Sequence, residues 1–241
     1  MRSSSSQYKT GGQRELTLGI WFYLASLTVF SVGLILSARY FPGGFDWTYT
    51  VASALASQKH NPQGSIWIAA ALSLAMILLW PYVSALSRNV ERTHAFATVA
   101  AIVSLRIGLI CGALMGLERL LIRDLSASVD KAHEALGILT FFGLYTGILL
   151  LFVLAMLHRK GFVLPILLIT SPLLAVGITQ FWLYLEQRDL GWVDTSWRAM
   201  GVPFWFSFAF WQWLAIGFLW AGLGLLAITT TNHRRRSPKE H

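Results

Sequence analysis

Arg106 is the residue of this chain whose chemistry most needs explaining. It stands midway along a long apolar run, about 16 Å of helix from either end, and no Asp or Glu lies near the middle of any apolar run. A guanidinium at that depth in hydrocarbon costs from about 3 to over 10 kcal/mol. Glu118 lies roughly 18 Å farther along the same helix axis, too far for a direct ion pair. Neutral partners within the other apolar runs are Thr140, Tyr145, Thr179, Gln180 and Gln212, together with the carbonyls of any broken helix. Two arrangements satisfy Arg106. In one, it bonds to such groups or snorkels outward through a wet crevice. In the other, its fork grips an anion from outside the chain, a lipid phosphate or fatty carboxylate. The second arrangement makes Arg106, Tyr145, Gln180 and Gln212 a lipid- or anion-binding site.

A second set of groups lies near the outer ends of the apolar runs: Asp46, His60, Glu118, Asp124, Asp130, His133, Glu134 and Glu186. Histidine and carboxylate together can bind zinc or move protons. None of these has a diagnostic spacing, and the adjacent His133 and Glu134 face about 100° apart on a helix. No metal site is expected, and the catalytic candidates, if the chain is an enzyme, are His133, Glu118, Asp46 and His60. His94, His158, His233 and His241 lie at edges or in a tail, so no histidine pair is placed to ligate haem within the spans. Cys111 is the lone cysteine, which removes intrachain disulfides and thiolate clusters. No phosphate-cradling glycine motif appears, and no intramembrane carboxylate offers a proton relay. No cofactor is expected.

Helices across a bilayer must position these residues. Of the 241 residues 55% are hydrophobic and only 12% charged, and the mean hydropathy is +0.57. A crossing needs roughly 20 apolar residues, and six stretches meet that length: 16–38, 65–86, 95–117, 133–157, 162–185 and 203–229. They form one all-α bundle, residues 16–229, between a tail over 1–15 and a basic tail over 230–241. The first run reads as an uncleaved signal anchor. The formal charge of +8 could attract nucleic acid, but the basic residues sit beside the ends of apolar runs. Arg2, Lys9, Arg14, Arg88, Arg92, Arg159, Lys160, Arg234, Arg235, Arg236 and Lys239 share one side, which puts both termini in the cytoplasm. No nucleic-acid partner is expected. The chain is expected to be multi-pass in a prokaryotic inner membrane.

All acids but Glu15, Glu91 and Glu240 fall on the outer side, as do the longer loops and most of the 11 tryptophans. Indoles favour the headgroup level, so an aromatic belt is the plain reading and a stacked ligand pocket the alternative. Trp47, Val51 and Leu55 stand at helical spacing behind Asp46, which predicts a short interfacial helix over 46–58 capped by Asp46. Asn61-Pro62 and Gly64 then form a turn into the second span. Gly108, Gly112 and Gly116 make a close-approach ridge pointing largely away from Arg106. This ridge packs the third span at the bundle centre, or else receives a membrane-protein partner. No repeat relates the two halves, which weakens an inverted-repeat transporter.

The order Phe45-Asp46-Trp47, Ser53-x-Leu55, Asn61-Pro62-x-Gly64, a span, then His133-Glu134 opening the fourth span resembles the DRAM-like superfamily. That superfamily includes damage-regulated autophagy modulators and GPI-anchor lipid-remodelling proteins. The resemblance implies six helices, an elaborate first outer loop and a role in lipid handling. It transfers no catalytic residue, and maps only Asp46, Ser53, Asn61, Pro62 and His133 onto shared positions.

Three functions remain open. The first is a nonenzymatic protein that binds or organises membrane lipid or a partner through an outer crevice near Arg106. The second is a lipid hydrolase or remodelling enzyme with an outer His and carboxylate site. The third is a small-solute transporter. Convergence of His60, His133 and an outer carboxylate on one cavity would favour the enzyme.

Overall fold

The computed structural model describes residues 4–90, 94–121, 127–158, 201 and 203–234, with isolated positions between 167 and 178. Every regular element among them is helical. These are α1 (Ser4–Arg39), α2 (Ala52–Ala56), α3 (Ser65–Asn89), α4 (Ala95–Leu121), α5 (Ala127–His158), a 3₁₀ turn (Phe204–Phe206) and α6 (Phe208–Arg234). Five stretches are long and apolar enough to cross a membrane: Glu15–Arg39, Ser65–Asn89, Ala95–Leu121, Ala132–Leu157 and Ala209–Ala227. They coincide with five of the expected spans. The expected span over 162–185 lies outside the described residues, apart from isolated helical positions.

Lipid as the surrounding solvent is legible on α4. Phe96, Val99, Val103, Ile107, Ile110, Leu114, Leu117 and Leu121 are all exposed, and their spacing of three and four makes one stripe along the helix. A stripe of that extent is far too apolar for water. The opposite side of α4 is buried on both flanks. A methyl group added at Gly116 would lie 2.5 Å from Ala69 O of α3, and one at Gly108 would lie 2.8 Å from the Leu144 backbone nitrogen of α5. The glycine ridge is therefore filled from within the chain. Without Cβ atoms these backbones approach closely, which is how apolar helices gain packing energy where lipid supplies no hydrophobic drive.

The core between helices holds Leu79, Tyr82, Leu105, Leu109, Ile148, Phe152, Leu223 and Leu226, all fully buried. Polar side chains inside it bond across helices. Ser26 Oγ donates to Ala75 O at 2.7 Å, Tyr23 OH donates to Trp220 O at 2.9 Å, and Tyr82 OH donates to Leu223 O. Each such bond contributes about 0.6–2 kcal/mol in a membrane.

Helix direction follows from these contacts. Helix α3 returns antiparallel to α1, α4 antiparallel to α3, and α5 antiparallel to α4, with Gly108 of α4 beside Gly143 of α5. One end of the bundle, here the loop end, gathers residues 40–64, the close of α4 and the apolar start of α5. Helix α6 also begins there, because Ser207, Gln212 and Trp213 bond to Thr48, Ala52 and Thr50. Helices α5 and α6 thus run in the same direction, with Gly222 against Ile148.

The first loop departs from expectation. Only Ala52–Ala56 is helical, and its cap is Val51, in extended conformation with no side-chain cap bond. Asp46 instead closes a turn: its Oδ1 accepts from Thr48 N at 3.1 Å and from Thr48 Oγ1 at 2.6 Å. A short acceptor side chain satisfies its own neighbouring backbone as readily as a helix start. The first backbone donor of α2, Ala52 N, is met by Gln212 Oε1 at 2.7 Å.

Candidate functional site

Arg106 reaches the seam between α3 and α4, at the edge of the exposed α4 stripe. Its guanidinium carbon lies 5.4 Å from the centroid of the Trp80 ring, and Trp80 is 40% exposed. The antiparallel register explains the meeting, since Gly116 touches Ala69 and Ser73 one end of the seam over. A cation on an indole face gains from about 0.5 to 2 kcal/mol, which offsets only part of the cost of placing Arg106 there. Its Nε is buried with no hydrogen-bond partner among the described residues. The seam therefore holds a cation with one aromatic contact and an unmet donor. Among the described residues no acceptor meets that Nε.

None of the expected partners supplies one among the described residues. Gln212 is committed to Ala52 N at the loop end. Thr140 Oγ1 donates to Leu136 O at 2.7 Å. Tyr145 belongs to α5, on the flank of α4 opposite the Arg106 seam, where its ring meets Phe141 at 4.2 Å. Its hydroxyl is buried and without a partner among the described residues. Thr179 and Gln180 lie outside the described residues. Arg106, Tyr145 and Gln212 therefore do not form one cluster. Trp80 was not foreseen: in sequence it is one more apolar residue in an apolar run, and only the register of α3 against α4 brings it to Arg106.

At the loop end, Asn61 is a structural hub. It is fully buried. Its Nδ2 donates to Ser37 O at 2.9 Å, Ser37 Oγ at 3.0 Å and Leu55 O at 3.2 Å, and its Oδ1 accepts from Gly64 N at 3.0 Å. A side chain at Gly64 would collide with Asn61 and Ser37 O. Ser53 and Pro62 are open to the surroundings, so of these motif residues Asn61 does the fastening. An aromatic bolt stands beside the hub. Trp47 lies 4.9 Å from Trp213 and 4.8 Å from Phe45, and Trp213 Nε1 donates to Thr50 O at 3.1 Å.

The catalytic candidates separate into two groups. Glu118 and His133 meet, with His133 Nδ1 2.9 Å from Glu118 Oε2, because α4 and α5 pair antiparallel and bring their loop ends together. Arg119 joins them, its Nε 3.1 Å from His133 Nδ1 and 3.6 Å from Glu118 Oε2. All three side chains are largely buried, at 7%, 11% and 15% exposure for Glu118, Arg119 and His133. His60 is exposed in the first loop and bonds through its backbone to Ser57 Oγ. Asp46 is held by Thr48. Among the described residues neither joins Glu118 and His133 in a group of three at metal-binding range. Asp124 and Glu186 fall outside the described residues. No group of three or more His, Cys, Asp or Glu side chains gathers at metal-binding range among the described residues.

No protein-family model, curated protein or solved structure matches the chain. The coarse class is set by the helices alone: an all-helical chain with several membrane-capable spans.

Proposed function

We propose that this chain is a six-crossing membrane protein, with both termini cytoplasmic, that binds an anionic lipid group at the α3–α4 seam without acting as an enzyme. The observation that carries the reading is the buried, unpartnered Nε of Arg106 beside a half-exposed indole. A phosphate or carboxylate supplies the missing acceptor, and an acyl chain covers the apolar stripe next to it. Two features support the sixth crossing. Helix α5 ends where the termini lie, whereas α6 starts at the loop end. A return crossing between them is part of this reading, and Gly177, within that stretch, stands against the Tyr145 ring. The basic residues flanking the opposite end support a cytoplasmic placement there. The DRAM-like resemblance is proposed on the same footing, resting on its motif order. An outer acid–base enzyme is the second reading, favoured by the Glu118 and His133 contact alone.

The test is Arg106→Leu. The variant is expected to fold, since a leucine suits the lipid-facing seam, and to copurify with less anionic lipid by mass spectrometry. Unchanged lipid content would remove Arg106 as a binding residue.

A further inference from the structure

The Glu118 cluster leaves one buried acceptor unmet among the described residues. Glu118 Oε2 is held by His133 Nδ1 at 2.9 Å and by the charge of Arg119 at 3.6 Å. An imidazole nitrogen offers one in-plane position. When Nδ1–H points at Glu118, Arg119 also turns its charge to Oε2, so both neighbours serve the same oxygen. The other, Oε1, is buried and has no hydrogen-bond partner among the described residues. A buried carboxylate oxygen without a donor is strongly disfavoured.

The depth of the cluster restricts which donor could fill it. Glu118 is in the last turn of α4 and His133 is near the start of the apolar stretch Ala132–Leu157, which is headgroup level in a membrane. Phosphate and ester oxygens there only accept hydrogen bonds, whereas a primary ammonium donates and carries the opposite charge. The carbonyl end of α4 adds a negative pole that favours a cation. We propose that Glu118 Oε1 receives an N–H of a primary ammonium, that of an aminophospholipid headgroup, at the loop end of the α4–α5 hairpin. This site is separate from the Arg106 seam and takes the opposite charge.

The experiment is a ligand ladder. Full-length protein in nanodiscs containing equal parts phosphatidylethanolamine, its N,N-dimethyl derivative and phosphatidylcholine is released and analysed by native mass spectrometry. The first two retain an N–H and the third has none. About tenfold greater retention of the first two over phosphatidylcholine is expected for a charged hydrogen bond. Glu118→Gln should reduce that preference, with Cys111 still protected from thiol reagents as a check on folding, and Arg106→Leu should leave it intact. Equal retention of all three lipids overturns the proposal and indicates that water fills the position. A preference that survives in Glu118→Gln overturns the assignment to Glu118. Loss of the preference in millimolar free ethanolamine would identify a soluble primary amine as the source of the same donor, whereas resistance to it assigns the lipid.

Discussion

Asn61→Ala is the substitution whose consequence the structure specifies most fully. The amide binds four backbone or side-chain groups, and two of them have an alternative. Ser37 Oγ and Leu55 O stay bonded to one another at 3.1 Å. The Ser37 carbonyl, in the last turn of α1, and the Gly64 N–H lose the bonds that Asn61 gives them. Helix-end carbonyls have no intrahelical donor to fall back on, and Gly64 is buried. Two buried orphaned groups at about 1–3 kcal/mol each give a loss of about 2–6 kcal/mol. Even the lower figure raises the population of an opened loop about thirtyfold. Hydrogen exchange over residues 51–64 reads this directly, while thiol labelling of buried Cys111 reports whether the helices hold together. Ser37→Ala removes only a hydroxyl and should cost about 1 kcal/mol. If exchange of 51–64 in Asn61→Ala matches the native protein, Asn61 does not fasten the loop and the reasoning fails.

Other outcomes follow from the same packing. Gly116→Ala and Gly108→Ala should each lower stability by about 1–3 kcal/mol through overpacking, whereas Gly137→Ala, with its nearest neighbour Met115 Sδ at 3.5 Å, should be neutral in the same thermal scan. Trp213→Phe keeps a ring in the bolt but loses the bond to Thr50 O, and should destabilise the first loop by about 1 kcal/mol, seen as faster proteolysis between residues 40 and 64. In a Cys111→Ser background, single cysteines at Ser53 and Pro203 should label from one side of the membrane and those at His94 and Leu157 from the other. Labelling of Leu157 and Pro203 from a common side would eliminate the sixth crossing.

How much of this was readable in the chain depends on the range of each interaction. Spans declare themselves because about 20 consecutive apolar residues have no other use, and the ridge of Gly108, Gly112 and Gly116 implied a tightly packed third span. Which helices fill that ridge depends on pairing that the spacing does not contain. Asp46 misled for a local reason: the same carboxylate can cap a helix or close an Asx turn, and Thr48 two residues on decided it. Gln212 misled for a distant one. A glutamine inside an apolar run suggested a partner for Arg106, yet it sits in the first turns of α6, where the first loop offers an unmet N–H. Glu118 and His133 share one set of candidates by residue type, but only the α4–α5 register selects that pair from the set and adds Arg119 to it. Trp80 had no signal beyond being an indole at mid-span.

Every bond in the knot around Asn61 is drawn from residues 37–65, and Glu15 meets Arg88 at the far end of the same pair of helices at 3.1 Å. The opening helical hairpin is thus tied at top and bottom using nothing made later by the ribosome. It can seat itself in the bilayer while the remaining crossings are still being synthesised, leaving Trp213 and Gln212 to latch onto a platform already in place.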